Sequence, residues 1–227
     1  LAGQRPDWPE VLASLIQPLE QWSEPLQPIA SKLASGESLN LRDGLVLFDH
    51  SDMHELGQLA HAVRTSRFDN MAFFNSNVHV NQTNICVLAC RFCAFRRGPK
   101  ATDAYALSVQ EYVDDLGKYA DFVDEVHSVG GLHPEWTVEH YEALFEQTRT
   151  SYPHVSIKAL TAVEIKHLAQ TSSISTKTVL QRLKDAGPTS LPGGGAEILD
   201  DDVRAIICNG KESSDEYLQI HQEAHEV

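Results

Sequence analysis

Hydrophobic and polar positions keep a helical rhythm over residues 7–70, then switch to an alternation of strand-like and helix-like stretches. From 8 to 34 the apolar residues are punctuated by prolines and acids, and 41–48 forms a further helical stretch. Ser51 and Asp52 stand in capping position before a helix at about 53–64, where Leu56, Leu59, Ala60 and Val63 share a face. Residues 73–83 (FFNSNVHVNQT) alternate in places and predict a first strand, followed by a helix at 109–119 opened by Ser108. A second strand is predicted at 122–129, ending at Gly130 and Gly131, then a helix capped by Thr137 and running to about 150. A third strand is predicted at 155–160, with helices at 162–169 and 176–186. Residues 188–191 form a short fourth strand, and two helices close the chain at about 201–208 and 213–225.

Strands alternating with helices in this way indicate βαβ units on a parallel sheet. Right-handed crossovers curl such a series toward a barrel or a doubly wound sheet. The organisation expected is a helical segment over 1–70 and an α/β unit over 71–227. About four strands fall short of a complete eight-stranded barrel, which needs about 250 residues. The chain, starting at Leu1, reads as cut from a longer one, with no secretory leader in view.

Active residues of parallel α/β folds gather at the carboxyl ends of the strands. Four motifs fall there: the cysteines after the first strand, Gly130-Gly131-Leu132-His133 after the second, Thr161 and Glu164 after the third, and Gly193-Gly194-Gly195-Ala196-Glu197 after the fourth. This convergence on one rim is the main argument for an enzyme. Eighteen basic against 32 acidic residues give a net charge of −14. That balance argues against a nucleic-acid partner, which needs a basic face, and against a polybasic membrane anchor. No apolar run of about 18 residues is present to span a bilayer.

Three of the four cysteines (Cys86, Cys90, Cys93, Cys208) lie within eight residues. That is too dense for a secreted disulfide framework, so a reducing cytoplasm is the expected setting. A C-x-x-x-C-x-x-C loop offers three thiolates to a four-iron cluster and leaves one iron without a cysteine. Zinc with Cys208 or a histidine as fourth ligand, a redox pair, or buried apolar cysteines are the alternatives. The usual zinc spacing of two C-x-x-C pairs is missing, which ranks the cluster above zinc.

With Phe92 before its last cysteine, this motif resembles the signature of radical S-adenosylmethionine (SAM) enzymes. The stretches NVHVNQTNICVLACRFCAF (77–95), HSVGGLHPEW (127–136), SIKALTAVEI (156–165) and SLPGGGAEI (190–198) are similar to the aminofutalosine synthase family of menaquinone biosynthesis by the futalosine route. Close relatives are cyclic dehypoxanthine futalosine synthase and the tyrosine-handling subunit of deazaflavin (FO) synthase; Val129-Gly130-Gly131-Leu132-His133-Pro134 favours the aminofutalosine type.

The resemblance implies a partial (β/α) TIM-type barrel, a 4Fe-4S cluster on Cys86, Cys90 and Cys93, and S-adenosyl-L-methionine chelating the open iron. It implies a 5′-deoxyadenosyl radical that adds to the enol ether of 3-[(1-carboxyvinyl)oxy]benzoate, so that the cofactor is also consumed. An external one-electron reductant, such as flavodoxin or ferredoxin, is implied as partner. Phe92, Gly130, Gly131, Glu164 and Glu197 are the expected cofactor contacts, Phe92 and Phe95 as shields or core aromatics. His79, Asn81 and His133 are the expected substrate contacts, with His133 equally readable as a helix cap. His79, Asn81 and Thr83 are expected on one strand face. Arg91, Arg96, Arg97, Lys100 and Lys158 are candidate cations for a dicarboxylate substrate. By the same resemblance the family continues past Val227 into further strands, and Pro188 stands where an apolar residue is expected.

Overall fold

The computed structural model describes residues 4–227 and divides into two units, one ending at Phe74 and one starting at Asn75. The first unit is helical: α1 (Trp8–Leu15), α2 (Gln27–Ala34), α3 (Leu41–Asp49) and α4 (Met53–Phe68). Asn40 and Asp43 form a reciprocal capping box at the start of α3. Asp52 caps α4 by accepting from the backbone N–H groups of His54 and Glu55. Trp22, Leu26, Ile29, Ala30 and Leu59 make a small core. His50 pairs with Glu55 at 2.9 Å.

The second unit alternates strands and helices. Its elements are β1 (Asn77–His79), α5 (Val109–Gly117), β2 (Glu125–Ser128), α6 (Val138–Ser151), β3 (Ser156–Ala159), α7 (Ala162–Ser172), α8 (Thr176–Ala186), α9 (Asp201–Ile207) and α10 (Ser214–Glu226). The three strands are parallel in the order β1-β2-β3. Val78, Val126 and Ile157 stand side by side in register and face the helices. There they pack with Tyr112, Leu116, Tyr141, Leu144, Phe145, Ile165, Leu168 and Leu183. The opposite face carries Asn77, Glu125 and Ser156 in one row and His79, His127 and Lys158 in the next. One apolar and one polar face on a curling parallel sheet is the wall of a partial TIM-type barrel, with the polar rows turned to its interior.

Two strand expectations need correction. The first strand is three residues, not 73–83. Beyond Val80, whose N–H still donates to His127 O, the chain turns to pair with its own returning loop. Thr83 bridges Ala106, and the Asn84 amide exchanges hydrogen bonds with Asp103 O and Tyr105 N. The side chain of Thr83 is spent on Tyr105 O and Ile85 N, so it does not continue the face of His79. The fourth strand is reduced to one parallel bridge, Lys158 to Ser190, with Ala159 N donating to Ser190 O and Thr189 N to Ile157 O. Pro188 fixes φ and offers no N–H to this edge, so pairing begins only at Thr189.

Candidate metal centre at the carboxyl rim

The cysteine loop leaves β1 and is tied down at both ends by backbone hydrogen bonds. Cys86 N donates to Arg97 O at 3.1 Å and Arg97 N to Asn84 O at 2.7 Å. Arg97 clamps the exit of the loop: its Nε pairs with Asp103 at 2.6 Å and its Nη1 reaches the carbonyls of Ala94, Phe95 and Arg96. That commitment removes Arg97 from the candidate substrate cations. Val87 N donates to Leu132 O, and Arg91 N to Ile207 O at the end of α9.

Gly130 and Gly131 are needed by the chain itself. A Cβ on Gly131 would lie 2.2 Å from Ile85 O, and one on Gly130 would lie 2.9 Å from Thr83 O. Gly131 N donates to Thr83 O at 2.8 Å. The β2 turn is therefore the seat of the cysteine loop, and only glycine lets the two backbones meet so closely.

Glu164 holds that seat in place. Its side chain is buried, with Oε1 accepting from Gly130 N at 2.9 Å and Gln82 Nε2 at 3.1 Å. Oε2 accepts from Thr161 N at 2.7 Å and Thr161 Oγ1 at 2.8 Å. Burial pushes its carboxyl up to about 7 despite these donors. Glu164 thereby bridges the turns after β1, β2 and β3. Gln82, fully buried, links the same network to Ser128 Oγ and Tyr141 OH. Leu160, a bulky residue at φ +59°, makes the sharp β3 exit that aims Thr161 at Glu164.

The fourth rim segment is fixed by a buried charge. Arg204 donates to Ala196 O, Ile198 O and Glu212 O, and pairs with Glu212 Oε1 at 3.0 Å. Glu197 sits at φ +44° and pairs with Lys211, whose Nζ lies 2.9 Å from both carboxylate oxygens and 5.6 Å from the Phe92 ring centre. Phe92 is half exposed and Phe95 packs edge-on against Tyr105. Burial raises the Cys90 thiol, and the Lys211 charge opposes that rise.

His133 Nδ1 accepts from Glu135 N at 3.2 Å in the turn before α6, whose N-cap is Thr137, so it does not cap that helix, and its ring stacks on Trp136 with centres 4.5 Å apart. His79 lies against His127 with ring centres 4.3 Å apart. Asn81 is half-buried, with a buried Oδ1 that finds no partner.

Cys86, Cys90 and Cys93 are free thiols on one pinned loop. Among the described residues, no three His, Cys, Asp or Glu side chains come close enough to hold one metal ion. Three free thiols on one loop suit a cluster in which each thiolate takes a different iron. Gln82, Lys211 and Arg204 were missed on sequence. Lone polar residues carry no motif, and only their partners across the fold reveal them.

A parallel α/β half-barrel bearing a three-thiol loop on its carboxyl rim defines the class of protein. A family profile described as the Radical SAM superfamily matches residues 80–227, and the chain belongs to that superfamily. It is 40% identical over 200 residues to the aminodeoxyfutalosine synthase of Streptomyces coelicolor, covering 87% of this chain and 51% of the relative. It is 37% identical to the Thermus thermophilus protein of the same name, covering 89% and 55%. The cyclic dehypoxanthine futalosine synthase of Streptomyces coelicolor is 34% identical, with 88% and 51% covered. The chain thus spans about half the length of the curated relatives it matches. Among solved structures it resembles methylornithine synthase (TM-score 0.63, 16% identity, covering 86% of this chain and 55% of that one). It also resembles the FeFe-hydrogenase maturase HydG (TM-score 0.67, 14% identity, covering 96% and 48%). No helix among the described residues is long and apolar enough to cross a membrane.

Proposed function

We propose that this chain is the cofactor-binding half of an aminofutalosine synthase, a transferase that joins the adenosyl part of S-adenosyl-L-methionine to 3-[(1-carboxyvinyl)oxy]benzoate. The observation that carries the reading is the identity of 40% and 37% to two proteins named aminodeoxyfutalosine synthase, against 34% to the cyclic dehypoxanthine enzyme. Cys86, Cys90 and Cys93 would hold the 4Fe-4S cluster. When bound, cluster and cofactor supply one-electron cleavage of the sulfonium and a carbon radical for the enol ether. The protein's own share is positioning. Gly130 and Gly131 seat the cysteine loop against 83–85, Glu164 fixes that seat, and Phe92 shields the open side of the thiols. Glu197 and Lys211 present a carboxylate and an ammonium group beside Phe92, suited to a zwitterionic amino acid. Electrons would come from an external one-electron donor such as a flavodoxin or ferredoxin.

The test is anaerobic reconstitution with iron and sulfide, then product analysis by mass spectrometry with SAM, dithionite and each of two substrates. Aminofutalosine formed from the enol ether supports the reading. Turnover of dehypoxanthine futalosine alone would replace it with the cyclic enzyme. Substituting all three loop cysteines by alanine is expected to abolish the brown four-iron absorbance.

A further inference from the structure

The polar interior of the half-barrel has a row that the rim does not use. His79, His127 and Lys158 are aligned in register across β1, β2 and β3, on the face away from the helices. The His79 and His127 rings are tilted 59° to each other with centres 4.3 Å apart, and among the described residues the buried Nε2 of His127 has no hydrogen-bond partner. Among the described residues Lys158 has one acidic neighbour, Glu125 in the next row, and only at 4.0 Å. The Glu125 Oε1 in that pair accepts no hydrogen bond at all. A cation held this loosely, beside a ring nitrogen without a partner, is placed to meet an anion that reaches the row. Burial, and then the adjoining His79 and Lys158, hold His127 toward its neutral form. The row is the last interior layer before the strand ends, so it lies just inside the barrel from the thiol rim.

We propose that Lys158 and His127, flanked by His79, form a carboxylate subsite that receives the ring carboxylate of an aromatic substrate. The choice of that carboxylate rests on the function proposed above. The enol ether must reach the rim to react, so the other end of the molecule points inward, to this row. Lysine supplies the charge and the imidazole Nε2 a directed N–H, a pairing that suits a carboxylate better than a neutral group.

The reconstituted protein tests this with two substrates and one inert probe. The substrates are 3-[(1-carboxyvinyl)oxy]benzoate and 2-phenoxyacrylate, which keeps the enol ether and lacks the ring carboxylate; the probe is 3-hydroxybenzoate, followed by calorimetry. Lys158→Met and His127→Phe should each raise KM for the dicarboxylate about tenfold or more, with a smaller change in kcat. KM for 2-phenoxyacrylate should stay within about twofold, since that substrate never used the subsite. Lys158→Arg should recover most of the loss, and Lys158→Gln replaces the methionine variant if that one does not fold. Equal losses on both substrates, or no loss on either, overturn the proposal. Wild-type turnover with unaffected variants removes the subsite and leaves the function standing. Absence of aminofutalosine from wild type, with Lys158-dependent binding of 3-hydroxybenzoate, removes the function and leaves the subsite.

Discussion

Replacing Glu164 by Gln tests whether this carboxylate is the pin of the rim. Burial raises its pKa from 4.5 to about 7, the dehydration cost outweighing hydrogen bonds from Thr161, Gly130 and Gln82. In the unfolded chain the group titrates near its ordinary value. Between the two values the native state therefore holds a proton that the unfolded state has lost, and stability falls as pH rises through that window. Moving the group from 4.5 to about 7 corresponds to about 3 kcal/mol, fully developed above about pH 7.5 and absent below about pH 4. Glutamine copies the shape and neutrality of the protonated acid, so Glu164→Gln should lack this loss. The stability of the variant minus that of wild type should be near zero at pH 4.5 and climb toward about 3 kcal/mol at pH 8. For a unit of this size that is about 6–12 °C in Tm at the higher pH. Trp136, the one tryptophan of the second unit, reports the transition in urea at each pH. Taking the difference cancels the remaining titrating groups. A difference that does not change between pH 4.5 and 8 would refute the assignment of a buried, high-pKa carboxylate. Glu164→Ala, by contrast, leaves the Gly130 and Thr161 amides without their acceptor and should destabilise at every pH, by about 2–5 kcal/mol.

Three further outcomes are expected. Gly131→Ala puts a methyl group 2.2 Å from Ile85 O, so the cysteine loop must shift; iron bound per polypeptide after reconstitution should fall several-fold, and wild-type loading would contradict the seat. Glu212→Gln breaks the buried pair with Arg204 and leaves its charge uncompensated, which should cost about 3–5 kcal/mol in urea unfolding. Lys211→Met removes the charge that opposes the burial of Cys90; alkylation of Cys90 by iodoacetamide at pH 8 in the cluster-free protein should slow, and a faster reaction would reverse the sign assigned to Lys211.

The helices were legible because their boundaries are local chemistry. Ser108 with Glu111 and Ser213 with Glu216 are capping boxes written three residues apart, and the structure forms both. Thr137 was legible as a boundary, although its side chain makes no cap and Val138 N is taken by Ser172 Oγ instead. Strand lengths were not legible, because they depend on which segment supplies the partner. Residues 81–85 have the alternation of a strand, yet a loop twenty residues on offers better acceptors than β2 does. The positions of the glycine and cysteine motifs followed from topology alone, since a parallel sheet sends every β-to-α turn to one rim. The reasons for them did not. Gly130 and Gly131 are expected cofactor contacts on sequence, and the structure adds a packing demand of their own, the close approach of residues 82–85.

That difference bears on how the rim is kept rigid. The apolar core lies between sheet and helices, on the far side of the strands from the polar rows. Loops beyond the strand ends touch it through a few residues such as Leu107, Leu160 and Leu191, and each is further fixed by a charged side chain spent on backbone groups. Arg97 fixes the cysteine loop, Glu164 the turns after β2 and β3, and Arg204 the segment around Glu197. Hydrogen bonds between a charge and the backbone are directional and lose strength steeply when bent, so they define loop position more sharply than apolar contacts do. Their cost is desolvation, visible in the raised carboxyls of Glu164 and Glu212. It follows that loss of one pin should displace its own loop while the core stays folded. Glu164→Ala and Arg204→Met should therefore differ in which thiol becomes exposed: Cys86, nearest the β2 seat, for the first, and buried Cys208 for the second. Mass-spectrometric mapping of iodoacetamide labelling distinguishes the two, and identical labelling patterns would show that the rim gives way as one body.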